Sequence, residues 1–65
     1  MKRSIQAGDL LRLRDDVFPG ARVREFTFVG MDGNRVVLAH KDGSYEWTTD
    51  IDNIEWNDYH VPKAA

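Results

Sequence analysis

The sequence predicts an all-β chain: five antiparallel strands, one short 3-10 turn before the last of them, and a sheet bent far enough to close into a small barrel. Three observations lead there. Turn-forming residues recur every 8–13 positions, at Gly8-Asp9, Pro19-Gly20, Asp32-Gly33-Asn34, Asp42-Gly43 and Asp50 to Asn53. The segments between them alternate apolar with polar residues or are rich in Val, Phe and Thr. No stretch holds ten residues of helical periodicity. The one rival, residues 50–59, is crowded with Asp50, Asp52, Asn53, Asn57 and Asp58, all poor helix formers.

Each element has its own argument. Leu10 to Arg14 alternates, Leu11 and Leu13 on one face and Arg12 and Arg14 on the other, as a half-buried strand does. Asp15 to Ala21 reads as a loop carrying Val17, Phe18 and Pro19-Gly20. Arg22 to Met31 is the longest strand. It sets Phe26 and Phe28 against Val23, Val29 and Met31, so both faces are apolar, which predicts a sharply bent strand serving two sides of a barrel. Gly30 permits that bend, or a bulge. Asp32-Gly33-Asn34 predicts a tight hairpin, because Gly and Asn accept positive φ at little cost. Arg35 to Lys41 is the third strand, and Asp42-Gly43 is the strongest hairpin signal in the chain. Ser44 to Thr49 is the fourth strand, with Tyr45 and Trp47 on one face. Thr49 to Ile54 reads as a single helical turn, capped by Thr49 or Asp50, with Ile51 and Ile54 plugging the barrel end. Glu55-Trp56-Asn57 is the short closing strand.

At 65 residues the chain has room for a single domain. A chain of this size buries only about 60% of the surface its unfolded form exposes, so apolar residues are scarce resources. The ordered part is expected over residues 8–58, with loosely held ends at 1–6 and 60–65. Met1 and the short ends read as a whole small gene product. The hydrophobic share of 42% is that of a globular domain. There is no cysteine, which removes disulfides and thiolate metal sites and suggests a reducing, cytoplasmic setting. No apolar run approaches the ~20 residues that span a membrane, and Gln6, Gly8 and Asp9 interrupt what a signal peptide would keep apolar. Net charge is −2, unevenly spread. Residues 1–24 hold six basic residues against three acids; residues 44–60 hold Glu46, Asp50, Asp52, Glu55 and Asp58 and no Lys or Arg.

The order strand, long loop, long bent strand, tight turn, strand, tight turn, strand, helical turn, short strand resembles the SH3-like small barrels, a group that includes the KOW, Tudor and Sm-like modules. The residues that carry the likeness are Ala7 to Leu13, Phe28 to Leu38 around the central hairpin, and the Thr49–Ile54 turn. The resemblance is architectural and spans residues 8–57. The first loop lacks the basic-glycine run of a KOW module, and the chain lacks the N-terminal helix of Sm-like proteins. No functional residues transfer with it, because fold alone does not fix function.

Catalytic and metal chemistry find little support. His40 and His60 lie twenty residues apart without a flanking ligand pattern, whereas metal sites need three or four converging ligands; two solvent-facing histidines is the plainer reading. Ser4 and Ser44 lack the base and orienting group that activate a nucleophile. Neither GxGxxG nor GxxxxGK occurs. Asp50, Asp52 and Asp58 match no calcium loop, so a solvated or protein-facing acidic surface is expected there. No cofactor is implied.

The arginines are more suggestive. Arg12 and Arg14 face outward from the first strand, and Arg22 and Arg24 open the second, which should pair with it. Together with Phe18 they make a candidate basic stripe with a stacking platform, the mixture that small barrels offer single-stranded nucleic acid. The alternative is an ordinary solvated face. Seven aromatics are also more than so small a core holds, so some of Phe18, Tyr45, Trp56 and Tyr59 should remain exposed. Three functions are therefore expected in descending order. The first is a non-enzymatic interaction module in nucleic-acid machinery, acting through Arg12, Arg14, Phe18, Arg22 and Arg24 on nucleic acid or a nucleic-acid-associated protein. The second is a protein–protein adaptor or homodimer using Tyr45, Trp56 and Tyr59. The third is an oligomeric enzyme with its site between subunits.

Overall fold

The computed structural model describes residues 2–61. It consists of β1 (Arg3–Ser4), β2 (Leu10–Leu13), β3 (Glu25–Asp32), β4 (Arg35–Ala39), β5 (Glu46–Asp50), a 3-10 turn at Ile51–Asn53, β6 (Ile54–Glu55) and β7 (Tyr59–His60). The chain is all-β, as its sequence predicts. No helix among the described residues is long and apolar enough to cross a membrane.

Strands β2 to β6 form one antiparallel sheet in the order β5-β4-β3-β2-β6. Among the described residues no ladder joins its two edges, so the sheet stays open where a closed barrel was expected. The reason lies in the last connection. The 3-10 turn carries the chain from β5 across to β2, and both residues of β6 are committed there, in the pairs Arg12↔Glu55 and Leu13↔Ile54. Too little strand is left to reach β5. Alternation places Leu11, Leu13, Phe26, Phe28, Val36 and Leu38 on one face, where they bury with Ile5 and Ile54. Met31, Trp47, Ile51, Trp56 and Tyr59 pack around them, half-buried.

The doubled apolar faces of residues 22–31 have a different origin from the one expected. Phe28 pairs with Leu38, but Gly30 pairs with Val37, so Val29 is an extra residue, a β-bulge. The bulge shifts the inward phase by one. Phe26 and Phe28 face the core before it and Met31 after it, opposite the buried Val36. Val23, before the strand begins, and Val29, in the bulge, are exposed. The strand serves one core, re-phased beside Gly30.

The hairpins follow the turn chemistry. Between β3 and β4 only Gly33 takes positive φ, +62°, the pattern of a type II′ turn with Gly at its first central position. The Asp42-Gly43 loop is longer. Gly43 donates to the His40 carbonyl and His40 to the Ser44 carbonyl, while the Asp42 carboxylate accepts from the Ser44 N–H and hydroxyl. Those two bonds stabilise the charged form and hold the Asp42 carboxyl below the usual range. Strand β5 therefore starts at Glu46, and Tyr45 falls in the loop rather than beside Trp47.

Asp50 stands at the N-cap of the 3-10 turn, but its side chain makes no capping bond; its carboxylate accepts from Arg35 at 2.9 Å. Thr49, buried, accepts from the Asn53 amide instead. At the chain ends β1 and β7 pair in parallel, Arg3↔Tyr59 and Ser4↔His60, and Ile5 is buried. The stretch 1–6 is thus tied down at residues 3–5 rather than loose. Residues 62–65, the rest of the other expected tail, lie outside the described residues.

Candidate nucleic-acid interface

The register of the sheet decides where the candidate arginines lie. Arg12, on the outward face of β2, sits opposite Glu25 of β3 on one side and Glu55 of β6 on the other. Its guanidinium reaches Glu55 at 3.2 Å and Asp15 at 2.8 Å. The Asp15 pair raises the Arg12 pKa and lowers that of Asp15. Lys41, just past β4, continues the row with a 3.2 Å bond to Glu25. A line of alternating charge, Glu55–Arg12–Glu25–Lys41, therefore crosses the outer face of the sheet.

Arg24 does something else. From the residue before β3 its guanidinium donates to the carbonyls of Arg14, Val17 and Phe18, each at 2.9 Å. Its own carbonyl accepts from Leu13 at 2.8 Å. One side chain thus closes the loop between β2 and β3. Carbonyl partners carry no net charge, and Arg24 makes no ion pair among the described residues, although its charge is near enough to help lower the Asp15 carboxyl. Arg14 turns to Asp16 at 2.9 Å and to the Asp52 carbonyl at 3.3 Å. Arg22 is exposed and has no carboxylate or carbonyl partner among the described residues.

Three of the four arginines meet. Arg12, Arg22 and Arg24 line a shallow depression of about 500 Å³ with Val23, Glu25 and Lys41. Arg14 lies outside that lining, and sequence reasoning missed Lys41. The signal for Lys41 is the register: Thr27↔Ala39 places residue 41 opposite Glu25. The ion pairs at Arg12 and Lys41 are solvent-exposed and therefore weak, so either cation can exchange its carboxylate for another anion at small cost.

Two aromatics stand clear of the core. Phe18 is 54% exposed and Tyr45 73%. Both adopt left-handed backbone, φ +48° and +52°, a conformation costly for residues with a bulky side chain. Their loops, β2–β3 and β4–β5, leave the same end of the antiparallel sheet. The Phe18 carbonyl is held by Arg24, which brings the base of that residue beside the depression. His40 stands edge-on between Phe26 and Tyr45, with ring centroids 5.7 and 5.9 Å apart.

The other candidate aromatics are engaged. The Trp56 indole donates to the Ile51 carbonyl at 2.8 Å, closing the 3-10 turn. Tyr59 lies under Arg3, whose guanidinium is 4.6 Å from the ring centre and 2.8 Å from the hydroxyl, while Arg3 also bonds Asp9. Both rings pack on the core. Of Tyr45, Trp56 and Tyr59, only Tyr45 offers a mostly free ring.

His60 is exposed in β7, paired with Ser4 in the two-stranded sheet, whereas His40 follows β4 of the larger one. Among the described residues no group of three His, Asp or Glu side chains is placed to hold a metal ion. Asp50 and Asp52 line a second hollow of about 300 Å³ with Asn34 and Ile51. No protein-family model matches the chain, and comparison with curated proteins and with solved structures finds no match either.

Proposed function

We propose that the chain is a small, non-enzymatic binding module that acts on single-stranded nucleic acid, or on an acidic protein associated with it, through the depression lined by Arg12, Arg22, Arg24 and Lys41. The strand order, with a 3-10 turn before β6, supports an SH3-like arrangement as its scaffold. The observation that carries the reading is Arg22, a cation without a partner among the described residues, beside Arg24, whose guanidinium bonds carbonyls and makes no ion pair among them. Arg12 and Lys41 add cations held only by weak surface pairs. Phe18, whose carbonyl is held by Arg24, supplies an exposed ring on the adjoining loop, suited to stacking on a base. Arg14, tied to Asp16, contributes least.

Fluorescence anisotropy with labelled single-stranded DNA and RNA tests this. Affinity should fall with salt, and Arg22→Ala should reduce the logarithmic salt slope by about 0.7, the contribution of one phosphate contact on a single strand. Phe18→Ala should weaken binding by about 1–3 kcal/mol. Salt-independent binding, or an unchanged slope in Arg22→Ala, would refute the reading.

Tyr45 favours a second reading. A ring 73% exposed on left-handed backbone suits a protein contact or a homodimer. Sedimentation of the wild type against Tyr45→Ala tests it; a monomer at every concentration removes the homodimer.

A further inference from the structure

The open sheet leaves β5 as an edge. One side of Glu46–Asp50 pairs with β4; along the other, no backbone hydrogen bond is made among the described residues. Among the described residues, the lone side-chain bond to its backbone there is the 3.4 Å contact from Arg35 to the Thr48 carbonyl. Natural edges are commonly blunted by charged side chains, lysine above all, by proline or by a bulge, and the charges of β5 are the carboxylates Glu46 and Asp50. β5 has no lysine, proline or bulge, and Trp47, Thr48 and Thr49 favour extended structure.

Charge selects the occupant. Glu46, Thr48 and Asp50 share the outer face of the strand, with Asp52 just beyond. Asp50 is held by Arg35, whereas Glu46 and Asp52 have no cation among the described residues. A second copy pairing antiparallel about Thr48 would set Glu46 against Asp50 twice, a like-charge arrangement that destabilises a ladder. An incoming strand with lysine or arginine at those positions would instead meet carboxylates. At the end of β5 the hollow lined by Asn34, Asp50, Ile51 and Asp52 provides an apolar wall for an aliphatic stem and carboxylates for its head.

We infer that the free edge of β5 receives an extended, basic polypeptide segment, adding a strand to the sheet and placing one of its cationic side chains in the Asp50–Asp52 hollow. Backbone bonds along the edge supply affinity, and basic residues four apart supply selectivity. The site is independent of the arginine depression.

The test is an NMR titration of the full chain with an end-blocked peptide that carries lysine at every fourth position and Thr or Val between. At about 1 mM peptide, enough to occupy a weak site, the amides of residues 46–50 should shift and their exchange with solvent should slow. A glutamate-for-lysine peptide, a backbone N-methylated peptide and the Glu46→Gln/Asp52→Asn variant should each bind about tenfold more weakly, or worse. The inference is overturned if residues 46–50 do not respond, if the N-methylated or acidic peptide binds equally well, or if those amides shift with protein concentration alone, which would mean self-pairing.

Discussion

Replacing Arg24 by alanine measures the structural work of an arginine that also lines the binding depression. In the native state its guanidinium holds three carbonyls of the β2–β3 loop, at Arg14, Val17 and Phe18, each at 2.9 Å. Hydrogen bonds to a charged group contribute about 1.5–3 kcal/mol when well shielded. Here two of the three are exposed and only the one to Val17 is half-buried, so water replaces most of what is lost. The expected cost is therefore about 1–2 kcal/mol, close to one shielded bond rather than three. In a domain of this size that lowers Tm by roughly 5–15 °C. Urea unfolding followed by Trp fluorescence reads it as a lower midpoint at unchanged slope. Arg24→Lys should recover less than half, because an ammonium cannot span three acceptors with a planar fork. Arg22→Ala should change stability by less than about 0.5 kcal/mol, as surface substitutions without partners do. If Arg24→Ala matches wild type, or Arg22→Ala is equally destabilising, the structural role assigned to Arg24 alone is wrong.

Two further outcomes follow from the core and the β4–β5 loop. Leu38→Ala, at a fully buried position opposite Phe28 and Trp47, should cost about 2–4 kcal/mol and leave the chain largely unfolded at 37 °C, measured by circular dichroism. The Asp42 carboxyl is lowered in the folded state, so its contribution is present above the unfolded value of about 3.9 and is lost as pH falls through the folded value. An NMR titration should show it protonating below an ordinary aspartate, and Ser44→Ala should move it back up; an unchanged midpoint in that variant would break the assignment.

The sheet was legible in the sequence where one rule governs each residue. Leu10 to Leu13 alternate and do bury alternately, and Gly33 sits at a positive φ that glycine accepts most easily. The bulge was half-legible: Gly30 marked the place, but the parity change at Val29 depends on what β4 opposes. The parallel pairing of Arg3–Ser4 with Tyr59–His60 was invisible, because two-residue strands at opposite ends of the chain leave no periodic signal. The arginine cluster was partly legible. Alternation put Arg12 outward, but nothing local reveals that Arg24 bonds carbonyls seven and ten residues back or that Arg14 reaches Asp16 and the Asp52 carbonyl. Trp56 and Tyr59 looked like surplus aromatics; each instead found a partner, in Ile51 and Arg3, that a count of rings could not supply.

The bulge in β3 has a consequence for how this chain tolerates changes of length. Removing one residue from a paired strand ordinarily turns the remainder over and sends its apolar side chains into water. Val29 is opposed by no residue of its own. Its loss would bring Phe28↔Leu38 and Gly30↔Val37 into direct succession, with Met31 still facing Val36 and the Gly33 turn untouched. β3 therefore carries a spare residue, a joint at which the chain can be shortened by one without inverting the core face on either side.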